Sequence, residues 1–501
     1  MFVYTLTGNA GPGATCAGCI IVALWIGLTV SPTCADSLDD LIERLDRLEQ
    51  ENRQLRKEIE ALKTKRSQAE GTPPPSLAPE PESAHSGVVR FDSRYAYEIL
   101  DPTTRVNRKQ RLILDRRKDG TLSPDRLHVQ GAVTAIANHQ SSNRDDKFGY
   151  LMRHPTASNQ VGKTVSEATI HSAQLSVTGT LGNWISAHSV LLYDPEQSFG
   201  TGTNTDIRRN QVQVRRAYVL LGDLDRTPFH LSLGKMAVPF GLTDTVNPFS
   251  ASTVWHAFGA LANGVTVGYA SEGLNLSFMG IQGGAQFRAA NVPVKGTAVP
   301  SRLNNFAADA NYRFRLGAAG ALLLGGSYQR GSAYCQDFPV VHFEPCRDHN
   351  PAFDLYGRLT YGDLTLKGEF ARTTDEWPGT FNPRMPEFAA SKVTSFDIGA
   401  KYRYRSGFGP VDLSAEFSRF AAGVDGAPWE RQEQVVLGAA WFVRPSVKLF
   451  AEYVRVAGYA PLNFISGGSV KDQDGNVMMD RTHSDRSALS HVFMIGTNVA
   501  F

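Results

Sequence analysis

The sequence predicts an all-β fold: a 16-stranded antiparallel transmembrane β-barrel preceded by a short α-helical coiled coil. Three observations carry that reading. From about Gly87 to the C-terminus, runs of eight to fourteen residues alternate apolar with polar or small side chains, the period-two pattern of half-buried strands. Short Gly/Asp/Pro turns alternate with long polar loops along the whole stretch. Mean hydropathy is −0.24, too polar for a bundle of membrane helices but ordinary for a barrel that faces lipid outside and water inside.

The segments ahead of the barrel differ from it and from one another. Ile20 to Val30 is an apolar run of signal-peptide length, and Thr33-Cys34-Ala35 supplies small residues for cleavage, so residues 1–35 read as a leader. No Lys or Arg precedes Ile20, which makes the leader atypical. Ser37–Arg66, spanning the domain assigned to residues 37–66, keeps a strict heptad. Leu38, Leu45, Asn52 and Ile59 take the a positions, and Leu41, Leu48, Leu55 and Leu62 take d. Arg44 with Glu49, Glu51 with Arg56, and Glu58 with Lys63 are g-to-e pairs of opposite charge, which suits parallel copies of one chain. Asn52 alone would suggest two strands. Residues 67–86 are rich in Pro and Glu and read as a semi-extended linker.

Within residues 87–501 the connections are more telling than the strands. Seven tight turns (Gly179–Asn183, Asp223–Pro228, Ser271–Gly273, Gly317–Gly320, Gly362–Asp363, Ser406–Pro410 and Arg444–Ser446) separate eight longer loops. Seven hairpins plus the first and last strands give 16 strands with both ends on the short-turn side. Val88–Tyr97 and Arg111–Arg116 could add a pair and make 18. The 50-odd residues between leader and barrel contain no plug-sized domain. Alternation also assigns faces. Lys401, Arg403 and Arg405 oppose Tyr402 and Tyr404; Arg313 and Arg315 oppose Tyr312 and Phe314; Arg358 opposes Leu359. The last strand ends Phe493, Ile495, Thr497, Val499, Phe501, a terminal pattern similar to the signal read by the barrel-assembly machinery.

The stretch Leu231-Ser232-Leu233-Gly234-Lys235-Met236-Ala237-Val238-Pro239-Phe240-Gly241-Leu242 resembles the "GKxxxPFGL" segment of the phosphate-selective porin O and P family. The resemblance implies a 16-stranded homotrimeric barrel, three chains rather than two in the coiled coil, and a third long loop, Ala237–Asn263, folded inward to narrow the pore.

Formal net charge is +2, which excludes a strongly basic nucleic-acid binder. From Gly87 onward Lys and Arg outnumber Asp and Glu by 43 to 37. Lys401, Arg403, Arg405, Arg313, Arg315 and Arg358 are therefore candidate pore-lining residues favouring small anionic solutes, unless wall acids such as Asp309, Asp354, Asp412, Glu416 and Glu452 neutralise them. Cys335 and Cys346 are candidates for a loop disulfide in an exported protein. No catalytic constellation, metal-ligand spacing or cofactor motif stands out. Ser186 and His188 share a strand face but lack a third catalytic partner, so an enzyme is not expected. The function expected is passive diffusion of small hydrophilic solutes across the bacterial outer membrane, anions first and phosphate among them. The alternative is a structural protein tethering that membrane to the cell wall through a periplasmic coiled coil. Outer-membrane lipid, lipopolysaccharide and the assembly machinery at Phe501 are the expected partners.

Overall fold

The computed structural model describes residues 88–149, 162–193, 212–282, 303–335, 349–461, 465–466, 470–471, 477–478 and 482–501, together with Gln54. The chain divides into two units, residues 1–85 and 86–501. The leader, the heptad segment apart from Gln54, and the linker lie outside the described residues.

Sixteen long strands follow one another: β1 Leu127–Ser142, β2 Thr164–Leu181, β3 Ile185–Tyr193, β4 Val212–Gly222, β5 Phe229–Ala237, β6 Leu261–Ser271, β7 Leu274–Gln282 and β8 Leu303–Leu316 form the first half. The second half is β9 Gly320–Gln329, β10 Ala352–Tyr361, β11 Leu364–Thr373, β12 Thr394–Ser406, β13 Gly409–Ala421, β14 Arg431–Arg444, β15 Val447–Tyr459 and β16 Asp485–Ala500. Each pairs antiparallel with the next, and β16 returns to β1 from Ser490↔Ser142 to Ala500↔Ala132. The sheet is thus a closed 16-stranded antiparallel barrel. The C-terminal residue finishes the seam: Phe501 N donates to Gly131 O at 2.9 Å and Gly131 N donates to Phe501 O at 2.7 Å.

The expected faces are present. Ile398, Tyr402 and Tyr404 are exposed, as are Tyr312, Phe314, Leu316, Leu355, Tyr361, Phe493 and Ile495, while Asn311, Asp354 and Tyr356 are buried toward the interior. Exposed side chains of this kind on nearly every strand form a continuous apolar exterior, which only a lipid environment tolerates.

The 18-strand alternative is overturned, and residues read as the start of the barrel fill its lumen instead. Beyond a two-residue strand at Val89–Arg90, paired in parallel with Leu127–His128, the stretch before β1 is helical: α1 Ser93–Leu100 and α2 Lys109–Lys118. Asp92 caps α1, its side chain accepting from Tyr95 N at 2.8 Å. Tyr95, Ala96, Ile99, Leu100, Leu112, Ile113 and Leu114 belong to a buried apolar cluster that continues into wall and loop residues such as Ala132, Val190, Leu220 and Val238. This segment reaches many walls at once. The Tyr95 hydroxyl shares a hydrogen bond with Thr178 on β2 at 3.2 Å. Arg111 Nη1 donates to Asn275 on β7, Arg108 lies over the Tyr356 ring on β10, and Tyr97 packs edge-on against Phe442 on β14. A segment touching β2, β7, β10 and β14 together can only lie inside the barrel. Residues 88–126 are a plug.

The motif around Gly234 has a backbone cause. Gly234 has φ +134° and Gly241 φ +69°, and a Cβ on Gly234 would lie 2.3 Å from the Ala217 carbonyl oxygen. Gly234→Ala should therefore destabilise the folded barrel by about 2 kcal/mol or more, the cost of a glycine-only conformation plus the clash. Urea titration in detergent, followed by heat-modifiable electrophoretic migration, checks it; an unchanged midpoint would remove the explanation.

Candidate functional site

Residues 238–260, between β5 and β6, run inward, and most of their side chains are buried. Three carboxylates on alternate strands hold this loop across the lumen. Glu369 on β11 accepts from Thr243 N at 2.8 Å. Glu416 on β13 accepts from Val246 N at 3.2 Å, Thr245 Oγ1 at 2.9 Å and Asn247 Nδ2 at 3.0 Å. Glu452 on β15 accepts from Phe249 N at 2.7 Å and from Ser250 N at 3.1 Å. A loop with no partner strand must find acceptors for its backbone donors, and these buried acids provide them. The loop ends in a short helix, α3 Thr253–Phe258, capped by Ser252.

Plug and loop are joined. Val106 N donates to Asp244 Oδ1 at 3.0 Å, Thr245 N to Thr103 O at 2.9 Å, and Asn107 Nδ2 to Phe240 O at 2.7 Å. Asp244 also pairs with Arg358. Burial raises the Asp244 pKa, but Arg358 and Arg108 more than offset it and hold the carboxyl below its ordinary range. Within the plug, Lys109 Nζ donates to the carbonyls of Glu98 (2.7 Å), Asp101 (3.0 Å) and Thr104 (3.2 Å), clamping the end of α1 to the start of α2. Burial pushes the Lys109 pKa down to about 7. Arg116 adds a second tie between the helices through Glu98.

Between this assembly and the wall formed by β5 to β10 lies a cavity of about 790 Å³. It runs from Glu272 and Gly273 in the β6–β7 turn to Pro239 and Gly241 of the inward loop. Six arginines line it: Arg105, Arg108 and Arg111 from the plug, Arg313 and Arg315 from β8, and Arg358 from β10. The acids lining it are Asp115, Glu272 and Asp309. Asp115 accepts from Arg111 Nε at 2.7 Å. Asp309 is saturated by Ser327 Oγ and Tyr356 OH, each at 2.7 Å, and by Asn311 Nδ2 at 2.9 Å. Arg313 and Arg315 are exposed into this space with no ion pair among the described residues, and Arg313 lies in the combined field of Arg105, Arg108, Arg358 and Arg111. The lining therefore carries more guanidinium groups than carboxylates.

The six candidate residues from the sequence thus divide evenly. Arg313, Arg315 and Arg358 share the cavity. Lys401, Arg403 and Arg405 do not: Arg403 is bidentate to Asp412 at 2.6 and 2.8 Å, Lys401 lies 3.9 Å from the same carboxylate, and Arg405 pairs with Asp363 at 2.7 Å at the barrel edge. Arg105, Arg108 and Arg111 join Arg313, Arg315 and Arg358 from outside any strand, and their only sequence signal is the spacing of three in Arg105-Val106-Asn107-Arg108-Lys109-Gln110-Arg111. Cys335 is disulfide-bonded; Cys346 lies outside the described residues. Ser186 accepts from Arg117 Nη1 at 3.1 Å, and His188 shares a hydrogen bond with Thr178. Among the described residues no group of His, Cys, Asp and Glu could hold a metal ion.

Fold and site define a class: a transmembrane β-barrel with a narrowed, arginine-lined lumen. No family model matches the chain. A curated relative, a UPF0422 protein of Coxiella burnetii, is 25% identical over 259 residues, 50% of each chain. The chain therefore spans about half the length of that relative. Among solved structures the barrel resembles outer-membrane porins and channels. The anion-selective porin from Comamonas acidovorans is 15% identical, covering 75% of this chain and 99% of the other, at a TM-score of 0.46. The outer membrane channel DcaP of Acinetobacter baumannii is 13% identical with coverage of 75% and 97% and a TM-score of 0.44. OprB of Pseudomonas putida is 9% identical with coverage of 74% and 94% and a TM-score of 0.45.

Proposed function

We propose that the protein is an outer-membrane channel through which small hydrophilic anions diffuse, phosphate among them. One observation carries the reading: six arginines against three acids around a single cavity, with Arg313 and Arg315 left unneutralised. The acids that might have cancelled them have other duties. Glu369, Glu416 and Glu452 hold the inward loop, and Asp412 serves Arg403. Arg guanidinium forks suit phosphate and carboxylate oxygens. The same reading places a cleaved leader at residues 1–35, a parallel homotrimeric coiled coil in the periplasm, and a disulfide between Cys335 and Cys346. It also leaves Phe501 as the residue offered to the barrel-assembly machinery.

The experiment is a bilayer recording with purified full-length protein under a salt gradient. The sign of the reversal potential should report anion preference, and the preference should weaken as salt rises and screening shortens the field. A cation-selective pore would overturn the proposal.

A further inference from the structure

A second basic feature lies on the outside of the barrel. Arg372 on β11, Arg419 on β13, Arg431 on β14 and Arg455 on β15 all stand on the exterior face, because their strand neighbours Ala371, Thr373, Ser418, Phe420, Gln432, Val454 and Val456 are buried inward. Strand register sets them on a diagonal row. Arg372 is level with Thr394, Ala421 and Arg431. Arg419 is level with Phe396 and Glu433 two residues nearer the tight turns, and Arg455 is level with Val435, Phe417 and Ile398 two residues further. The row sits at the long-loop end of the strands. On the tight-turn side of it come Leu413, Leu437, Phe493 and Ile495, all exposed.

The opposite rim is aromatic rather than cationic, with Tyr402, Tyr404, Phe408 and Trp441 exposed there. From Trp441 to Arg431 is ten residues on one face of β14, roughly 34 Å along the strand at ~3.4 Å per residue. At a tilt of about 40° that is roughly 26 Å of height, close to the ~25 Å apolar band of such barrels. The arginines therefore lie at the edge of the apolar band, where headgroups begin. Glu433 is the one acid among them on this face; it forms ion pairs with Arg431 at 3.1 Å and with Arg419 at 3.5 Å. Arg431 also pairs with Glu430. Arg372 and Arg455 have no ion pair among the described residues.

Below the row the wall is thin and grooved. One apolar depression of about 750 Å³ lies over Gly438, Ala439 and Ala451, another of about 660 Å³ over Gly357, Gly368 and Ala400.

We propose that this sector of the barrel binds a phosphorylated lipid of the leaflet on the long-loop side. Its phosphates sit on Arg372, Arg419 and Arg455, and its acyl chains lie in the two grooves. Guanidinium groups chelate phosphate oxygens through paired N–H donors, and the adjoining grooves distinguish an amphiphile from a free anion. A copy meeting this sector with the same sector would set arginine against arginine, whereas a cyclic trimer joins two different faces of each barrel and does not require this one. The inference requires the barrel to stand in a membrane, not to conduct ions, so it survives or fails independently of the channel proposal.

The test is a titration of full-length protein in detergent micelles with bis-phosphorylated lipid A, read by native mass spectrometry. Dephosphorylated lipid A should bind at least tenfold more weakly. The triple variant Arg372→Gln, Arg419→Gln, Arg455→Gln should lose about tenfold for the phosphorylated lipid alone, while keeping the heat-modifiable migration of a folded barrel. Millimolar inorganic phosphate should not displace the lipid. Should the triple variant fail to fold, Arg455→Gln alone should lose two- to threefold. Equal binding of the two lipids, an unaffected variant, or displacement by free phosphate would each overturn the assignment.

Discussion

Arg313→Glu combined with Arg315→Glu should turn the channel from anion-preferring to cation-preferring. The two reversals change the charge around the cavity from six arginines against three acids to four against five. Two unit charges 4 Å apart interact by about 1 kcal/mol in bulk water and about 4 kcal/mol at the effective dielectric near a protein surface. A swing of about 1.4 kcal/mol already changes permeability ratios tenfold, so the sign of the reversal potential should invert at low salt. The contrasting variant is Lys401→Gln with Arg403→Gln and Arg405→Gln. These side chains are already paired with Asp412 and Asp363 outside the cavity, and selectivity should move less than twofold. Equal effects from both sets would mean that permeating ions do not pass through the arginine chamber.

That contrast also locates where the sequence was informative. Alternation assigned the faces of β8, β10 and β12 correctly, because a strand with lipid on one side and water on the other must repeat every two residues. It could not say that Arg403 stands opposite Asp412, because register between strands depends on turn geometry that composition does not encode. The inward loop was legible only through the resemblance carried by Gly234 to Leu242, in which Gly234 and Gly241 take the positive φ angles that favour glycine. Of its three supporting carboxylates, Glu416 and Glu452 read only as generic wall acids, and Glu369 carries no sequence signal that sets it apart.

The plug was misread for a different reason. A helix on a soluble core shows an apolar stripe of period 3.6, but a helix inside a hydrated barrel packs against polar walls. In α2, Lys109 and Gln110 are as buried as Leu112, Ile113 and Leu114, so no stripe survives to be read. In α1 the signals were present: an aspartate cap and the spacing Tyr95, Ala96, Ile99, Leu100. The alternation of Val88–Tyr97 obscured them.

The plug helices are held by a buried apolar cluster that they share with the wall and the inward loop, so a charge placed in that cluster should displace them from the lumen. Ile113→Asp places a carboxylate at a position with no exposed surface, among Leu112, Tyr95 and Ile99. A buried, unpaired charge costs several kcal/mol, comparable to the whole stability expected of a 39-residue element. The walls lose little, since β1 to β16 are closed by their own backbone ladder. Single-channel conductance should therefore rise severalfold in Ile113→Asp, while heat-modifiable migration remains that of a folded barrel. The excess current should be less selective, since Arg105, Arg108 and Arg111 leave the chamber with the plug. An unchanged conductance would show that ions already bypass α1 and α2, and that the narrowest point belongs to the loop held by Glu369, Glu416 and Glu452.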